Sequence, residues 1–287
     1  MSKAREPVAI FSSVPTMEGA GVRLKRAFGH AHAPELDPFL LLDDIHSENP
    51  EDYIAGFPWH PHRGIETVTY VLHGDVQHGD SIGNRGAIGD GDVQWMTAGS
   101  GIVHQEMPRP TRGDMRGLQL WINLPASRKM MDPRYRDIRS DMIPVIESEE
   151  GVTVKIIAGH YGGKSGPMKD LVQNPNYLDV DLGPGRRFVH TFEPGHTVFA
   201  YTLRGRGTFS PGNREVVHEE NVVLYGPGGA AEITAGDLGL RFLLISGQPI
   251  GEPVAWRGPI VMNTEEELTE AFREYRDGTF IKVGKHP

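Results

Sequence analysis

The sequence predicts an all-β protein made of two tandem barrels, and three observations lead there. Glycine (36 of 287 residues) and proline (22) are spread between β-branched and aromatic runs rather than gathered in one tract. That is the texture of many short strands joined by turns. Strand signals are short and closely spaced, as in Thr67–Leu72, Asp92–Met96 and Leu118–Ile122, with Gly-Asp and Asn-Arg-Gly turns between them. The second half then repeats the strand order of the first. Thr69-Tyr70-Val71-Leu72-His73-Gly74 is echoed by Ala200-Tyr201-Thr202-Leu203-Arg204-Gly205, Asp92–Trp95 by Asn221–Leu224, and Gly117–Asn123 by Gly239–Ile245.

Taken in order, the first barrel runs from about Val8 to Leu124. Pro125–Ser140, rich in Arg, Lys, Met, Asp and Pro, breaks the strand rhythm and reads as the connection between halves. The expected division is residues 1–134 for a metal-binding domain, 135–176 for the connection and the first strands of the second half, and 177–287 for a second barrel. Thr264-Glu265-Glu266-Glu267 is a capping box, and Leu268, Ala271, Phe272 and Tyr275 give one apolar face, so a short C-terminal helix should pack on a barrel.

Composition removes several function classes. A formal charge of −9 argues against broad nucleic-acid or anionic-membrane binding, which need a cationic surface. There are no cysteines, hence no disulfides, thiolate metal sites, iron–sulfur clusters or cysteine nucleophiles. Any metal must sit on histidine and oxygen. The N-terminus lacks the apolar core of a secretory signal, and no run of about 18 apolar residues occurs, so a cytoplasmic protein is expected. A monomer is the working expectation, which no motif addresses.

His60-Pro61-His62 and His104-Gln105-Glu106 are the chemically informative patterns. Strand side chains alternate faces, so residues at i and i+2 project together, and two such pairs on neighbouring strands can converge on one ion. Three neutral imidazoles and one carboxylate suit a divalent transition metal with open coordination positions, iron(II) first, with Ni, Cu, Mn or Zn as possible substitutes. In the registers of the repeat, Thr191 and Glu193 fall opposite His60 and His62, and Ile233 and Ala235 opposite His104 and Glu106. The metal site should therefore be single and N-terminal.

The stretches Gly56–Glu66 and Gly91–Pro108 resemble the two cupin motifs, whose implied fold is a double-stranded jelly roll. Together with LDPFLLLDD from Leu36, HPHRGIETVTYVL from His60, LQLWINLP from Leu118 and GPIVMNT from Gly258, they resemble the pirin family almost from end to end. The resemblance implies two tandem cupin barrels with a metal only in the first. Carried over, the family's iron ligands fall on His60, His62, His104 and Glu106, while Glu66 stands where other cupins place a carboxylate ligand. It implies one of two roles. One is quercetin 2,3-dioxygenase activity, opening a flavonol ring with O2 and releasing carbon monoxide; for that reaction a ligand carboxylate such as Glu106 has the reach to shift and accept the substrate's hydroxyl proton. The other is an iron-dependent, redox-sensing partner of a transcription factor or metabolic enzyme.

The remaining features read more plainly. Glu66 is taken as an outer-sphere or barrel-mouth carboxylate, and His78 and Asp80 as structural. Gln119 could hydrogen-bond a substrate or a metal-bound water, or be a satisfied internal amide. Phe57, Trp59, Trp95, Met96 and Met107 could supply core or an aromatic mouth for a flat polyphenol. Gly99-Ser100-Gly101 has no helix start after it and reads as a tight turn before the ligand strand.

Overall fold

The computed structural model describes residues 4–110, 113–212 and 215–283. The first half contains β1 (Pro7–Ser12), β2 (Val14–Glu18), β3 (Val22–Phe28), α1 (Ala33–Leu36), β4 (Phe39–Ser47), β5 (Phe57–His62), β6 (Ile65–His73), β7 (Val76–Asp80), β8 (Arg85–Ile88), β9 (Val93–Thr97), β10 (Ile102–Pro108), β11 (Met115–Asn123), α2 (Ala126–Lys129) and β12 (Arg134–Ile138). Two antiparallel sheets form the first barrel, in the orders β12-β9-β6-β11-β4-β3-β2 and β5-β10-β7-β8. Period-two alternation turns one face of each sheet inward, where Val22, Leu24, Val71 and Met115 of the larger sheet meet Val76 and Ile88 of the smaller.

The second half contains β13 (Val145–Ser148), β14 (Val152–Ala158), β15 (His160–Tyr161), β16 (Lys164–Ser165), β17 (Asn176–Leu182), β18 (Arg187–Thr191), β19 (Thr197–Thr208), β20 (Val217–His218), β21 (Asn221–Tyr225), β22 (Ala230–Gly247), β23 (Ala255–Arg257), β24 (Ile260–Met262) and α3 (Glu265–Arg276). Its sheet runs β1-β21-β19-β22-β17-β14-β13, with β18 on β22 and β20 on β19. Laid beside the first barrel, β21-β19-β22-β17-β14-β13 reproduces β9-β6-β11-β4-β3-β2, so the internal repeat is spatial as well as sequential. The edge place held by β12 beside β9 is held beside β21 by β1, from the chain's start.

The chain divides into two compact units that do not follow the expected boundaries. Residues 1–14, 34–38 and 141–249 form one, and 15–33, 39–140 and 250–287 the other. Pro125–Ser140 is not a bare connection, because its strand β12 pairs with β9 along Arg134–Ile138. The C-terminal helix belongs with the first barrel. Thr264 caps it, its hydroxyl accepting from Glu267 N while the Glu267 carboxylate accepts from the Thr264 N–H. Leu268, Ala271 and Phe272 then pack with Ile260, Met262, Phe280 and Val103 of β10. Among the described residues no helix is long and apolar enough to cross a membrane.

Candidate metal centre

β5 is an edge strand of its sheet, which is where Pro58 and Pro61 are tolerated, since an edge leaves backbone N–H groups unpaired anyway. It pairs antiparallel with β10, placing His104 opposite His60 and Ile102 opposite His62, followed by a register shift before Glu106. The turn into β10 needs its glycines. A Cβ on Gly99 (φ 51°) would sit 2.1 Å from the Met131 carbonyl oxygen.

The three histidines converge, with ligand nitrogens all within 4.8 Å of one another. His60 Nδ1 lies 2.8 Å from the Pro58 carbonyl and His62 Nδ1 3.0 Å from the Pro259 carbonyl. A carbonyl only accepts, so both Nδ1 atoms carry a proton, and in a neutral ring so held Nε2 is the atom that presents a lone pair. Those two Nε2 atoms face each other at 3.0 Å. Two lone pairs in that position repel unless a proton or a metal cation lies between them. Among the described residues, neither nitrogen of the buried His104 ring has a hydrogen-bond partner. Burial, reinforced by neighbouring imidazoles, pushes His62 and His104 well below the usual histidine range, so both are neutral, as a ligand must be. The donor set fits a divalent cation.

Glu106 is buried but stands outside the histidine cluster. Its Oε1 accepts from the Thr69 hydroxyl at 2.6 Å and its Oε2 from Gln119 Nε2 at 2.8 Å. Gln119 is thus an internal amide that fixes the carboxylate, and it also lines the cavity. Glu66 is not at the mouth. Alternation along β6 puts it on the face opposite Thr69, where it accepts from Thr97 at 2.6 Å, and backbone carbonyls hold the histidine ring protons instead. Asp80 accepts from the Ile82 and Asn84 amides, and His78 lies buried 3.2 Å from Asp137.

A cavity of about 620 Å³ opens in front of His60 and His62. Trp121 meets His62 edge-to-face at 5.0 Å, Trp256 lies 5.9 Å from Trp121 and stacks on His30, and Phe57 and Trp59 complete the aromatic wall. On another wall Arg26 donates to both oxygens of Asp43 at 2.8 Å and pairs with Glu18 at 2.9 Å. Trp95 and Met96, in contrast, are core. Sequence reading missed Trp256, His30, Arg26 and the Pro259 carbonyl. Trp256 and Pro259 lie in the C-terminal segment, where the phrase beginning at Gly258 carried the family resemblance but nothing tied it to the histidines, and a carbonyl carries no residue signature at all.

Two jelly-roll barrels in tandem, one of them carrying a histidine triad at the mouth of a cavity, define a bicupin with a cupin-type metal site. Residues 21–122 match the family model for pirin and residues 177–281 that for the pirin C-terminal cupin domain. The chain belongs to the pirin family. It is 41% identical, over 97% of its length and 99% of the relative's, to a Pseudomonas aeruginosa protein provisionally named quercetin 2,3-dioxygenase. It is 43% identical to a pirin-like protein of Caulobacter vibrioides, over 96% and 99% of the two chains. A crystal structure of quercetin 2,3-dioxygenase from Acinetobacter baumannii superposes with a TM-score of 0.90 at 33% identity, over 97% of this chain and 99% of that one.

Proposed function

We propose that the protein is a cytoplasmic, metal-dependent dioxygenase of the quercetin 2,3-dioxygenase type, holding Fe(II) on His60, His62, His104 and Glu106 and opening a flavonol-like ring with O2. The observation that carries this reading is the histidine triad facing an aromatic-walled cavity of about 620 Å³, within the usual range of roughly 300–1,000 Å³ for small-molecule sites. The relatives named for that activity support it.

When bound, the iron supplies Lewis acidity and a redox centre able to engage dioxygen. The chain's own residues do the rest. Trp121, Trp256 and Phe57 hold a flat polyphenol by its faces and edges and keep water off it. Glu106 accepts the substrate's hydroxyl proton. Thr69 and Gln119 fix its carboxylate and leave a lone pair on each oxygen for that transfer or for the metal. Neutral His62 and His104 present lone pairs without first losing a proton to solvent.

The test uses anaerobically iron-loaded protein. Metal content is measured, then the fall in quercetin absorbance together with oxygen uptake and carbon monoxide release, for wild type and Glu106→Ala. Turnover proportional to iron and lost in the variant is the expected result. Full iron occupancy with no quercetin consumed sinks the dioxygenase reading and turns the search to an iron-dependent protein partner.

A further inference from the structure

Metal ligands are positioned by the groups behind them, and here those groups converge on Arg63, between ligand His62 and Gly64. Its guanidinium is buried, with the side chain 2% exposed. Nε donates to the Ser100 carbonyl at 2.7 Å, within the turn that leads into β10 and His104. Nη2 donates to the Phe280 carbonyl at 2.9 Å and lies 2.7 Å from Glu274 of α3, while the guanidinium carbon sits 4.2 Å over the Phe280 ring. One side chain thus ties the end of β5, the entry to β10 and the C-terminal helix.

The backbone repeats the connection. Val261 N donates to the Arg63 carbonyl at 3.1 Å. A Cβ on Gly64 (φ 80°) would lie 1.9 Å from the Val261 carbonyl oxygen, so the C-terminal strand β24 lies directly against this position. The buried Lys129 ammonium donates to the Gly64, Val261 and Asn123 oxygens at 3.0, 3.1 and 2.6 Å. From this fixed segment Pro259 extends the carbonyl that orients His62, and Trp256 forms one wall of the cavity.

We infer that Arg63 is a positioning residue for the metal site, clamping the C-terminal segment against both ligand strands so that the Pro259 carbonyl sets the tautomer and direction of His62. The inference rests on the reading that the triad holds a metal, but not on what the loaded protein catalyses. A charged guanidinium with three backbone or carboxylate partners and an aromatic ring under it cannot be replaced by a lysine point charge, because only the planar fork reaches Ser100 and Phe280 together.

The experiment reads cobalt(II), a spectroscopic probe for the histidine site. Co(II) affinity, the position and intensity of its visible ligand-field bands, and thermal stability are measured on the full-length protein and on Arg63→Lys, Arg63→Met and Glu274→Gln. Loss of groups that orient metal ligands typically weakens metal affinity by about 10–100-fold. Arg63→Met is expected in that range with altered bands, and Arg63→Lys is expected to recover less than half of the loss. Glu274→Gln, which keeps the shape of the contact on the helix and removes its charge, should give a smaller loss, about two- to fivefold on the same scale, with bands shifted in the same direction. Folded Arg63 variants with parental affinity and bands overturn the inference. If Arg63→Met does not fold, parental bands and affinity in Glu274→Gln overturn it. A parent protein that takes up no cobalt ends the metal reading and this inference with it.

Discussion

The two barrels share one strand order and fill their interiors in opposite ways. In the second, Val180, Phe188, Phe209, Ile233, Phe242 and their neighbours form a continuous buried apolar cluster. In the first, the corresponding space is divided between two smaller apolar clusters, a set of buried polar groups and an open cavity. The register shows how the site was exchanged for core. Ile233 pairs with Phe188, as His104 pairs with His60, so Phe188 rather than Thr191 faces the position equivalent to His104. In that register His190, two residues on, stands where His62 stands. It is buried among Tyr161, Phe188 and Phe192 and hydrogen-bonded to Asn176, and burial pushes it down to about 4. One fold therefore yields a site where three converging positions carry imidazoles and a stable core where the same positions carry a phenyl ring, an aliphatic side chain and one buried histidine held by Asn176.

The sharpest way to break that comparison is to remove a donor. His104→Ala should abolish metal uptake, measured by metal analysis after dialysis, while the far-ultraviolet spectrum stays that of a β protein; a variant that unfolds would make the histidine a structural element. Next in size are matched ring deletions. Phe242→Ala, deep in the second barrel, should cost about 3–5 kcal/mol in denaturant unfolding. Trp121→Ala should cost less, since its ring already borders the cavity, but weaken binding of a flat flavonol by about tenfold, or roughly 1.4 kcal/mol. Equal stability losses at the two sites would remove the distinction between core and pocket.

Acid sharpens it further. His62, His104 and His190 are all held below their usual value, so between about pH 6.5 and the folded-state values the unfolded chain binds more protons than the folded one. Stability of the metal-free protein should thus fall as pH falls below about 6.5. Unfolding curves from pH 7.5 to 4.5 check the sign, and a flat profile would mean these rings are not buried neutral. Smallest of the four is Gln119→Leu, which leaves Glu106 Oε2 without its donor. It should cost about 1–3 kcal/mol and slow turnover with iron content unchanged; lost iron would make Gln119 part of metal retention.

Much of the site was legible because its pattern is local. Period two along a strand is a property of the backbone, so HPH and HQE disclosed shared faces, and the echo of TYVLHG in AYTLRG disclosed the repeat. Glu106 was read from the sequence as a fourth ligand; in the structure it lines the cavity outside the histidine cluster, and its partners Thr69 and Gln119 come from β6 and β11, where nothing in either segment announces the pairing. The helix was legible from its capping box, while its place was not. An amphipathic face says that something will cover it, not which barrel.

By itself, then, the sequence determined the residue chemistry: histidine and carboxylate donors without thiolates, strand faces, a duplicated barrel and a capped helix. Those follow from side-chain identity and from periodicities a few residues long. Tertiary structure alone decided that the C-terminal segment returns to the first barrel, that a carbonyl 197 positions away orients His62, that Trp256 walls the cavity, and that β1 fills the second barrel's edge. The reason is physical. Backbone carbonyls and sheet edges are the same at every residue, so which of them meet is set only when the packing of distant strands is complete.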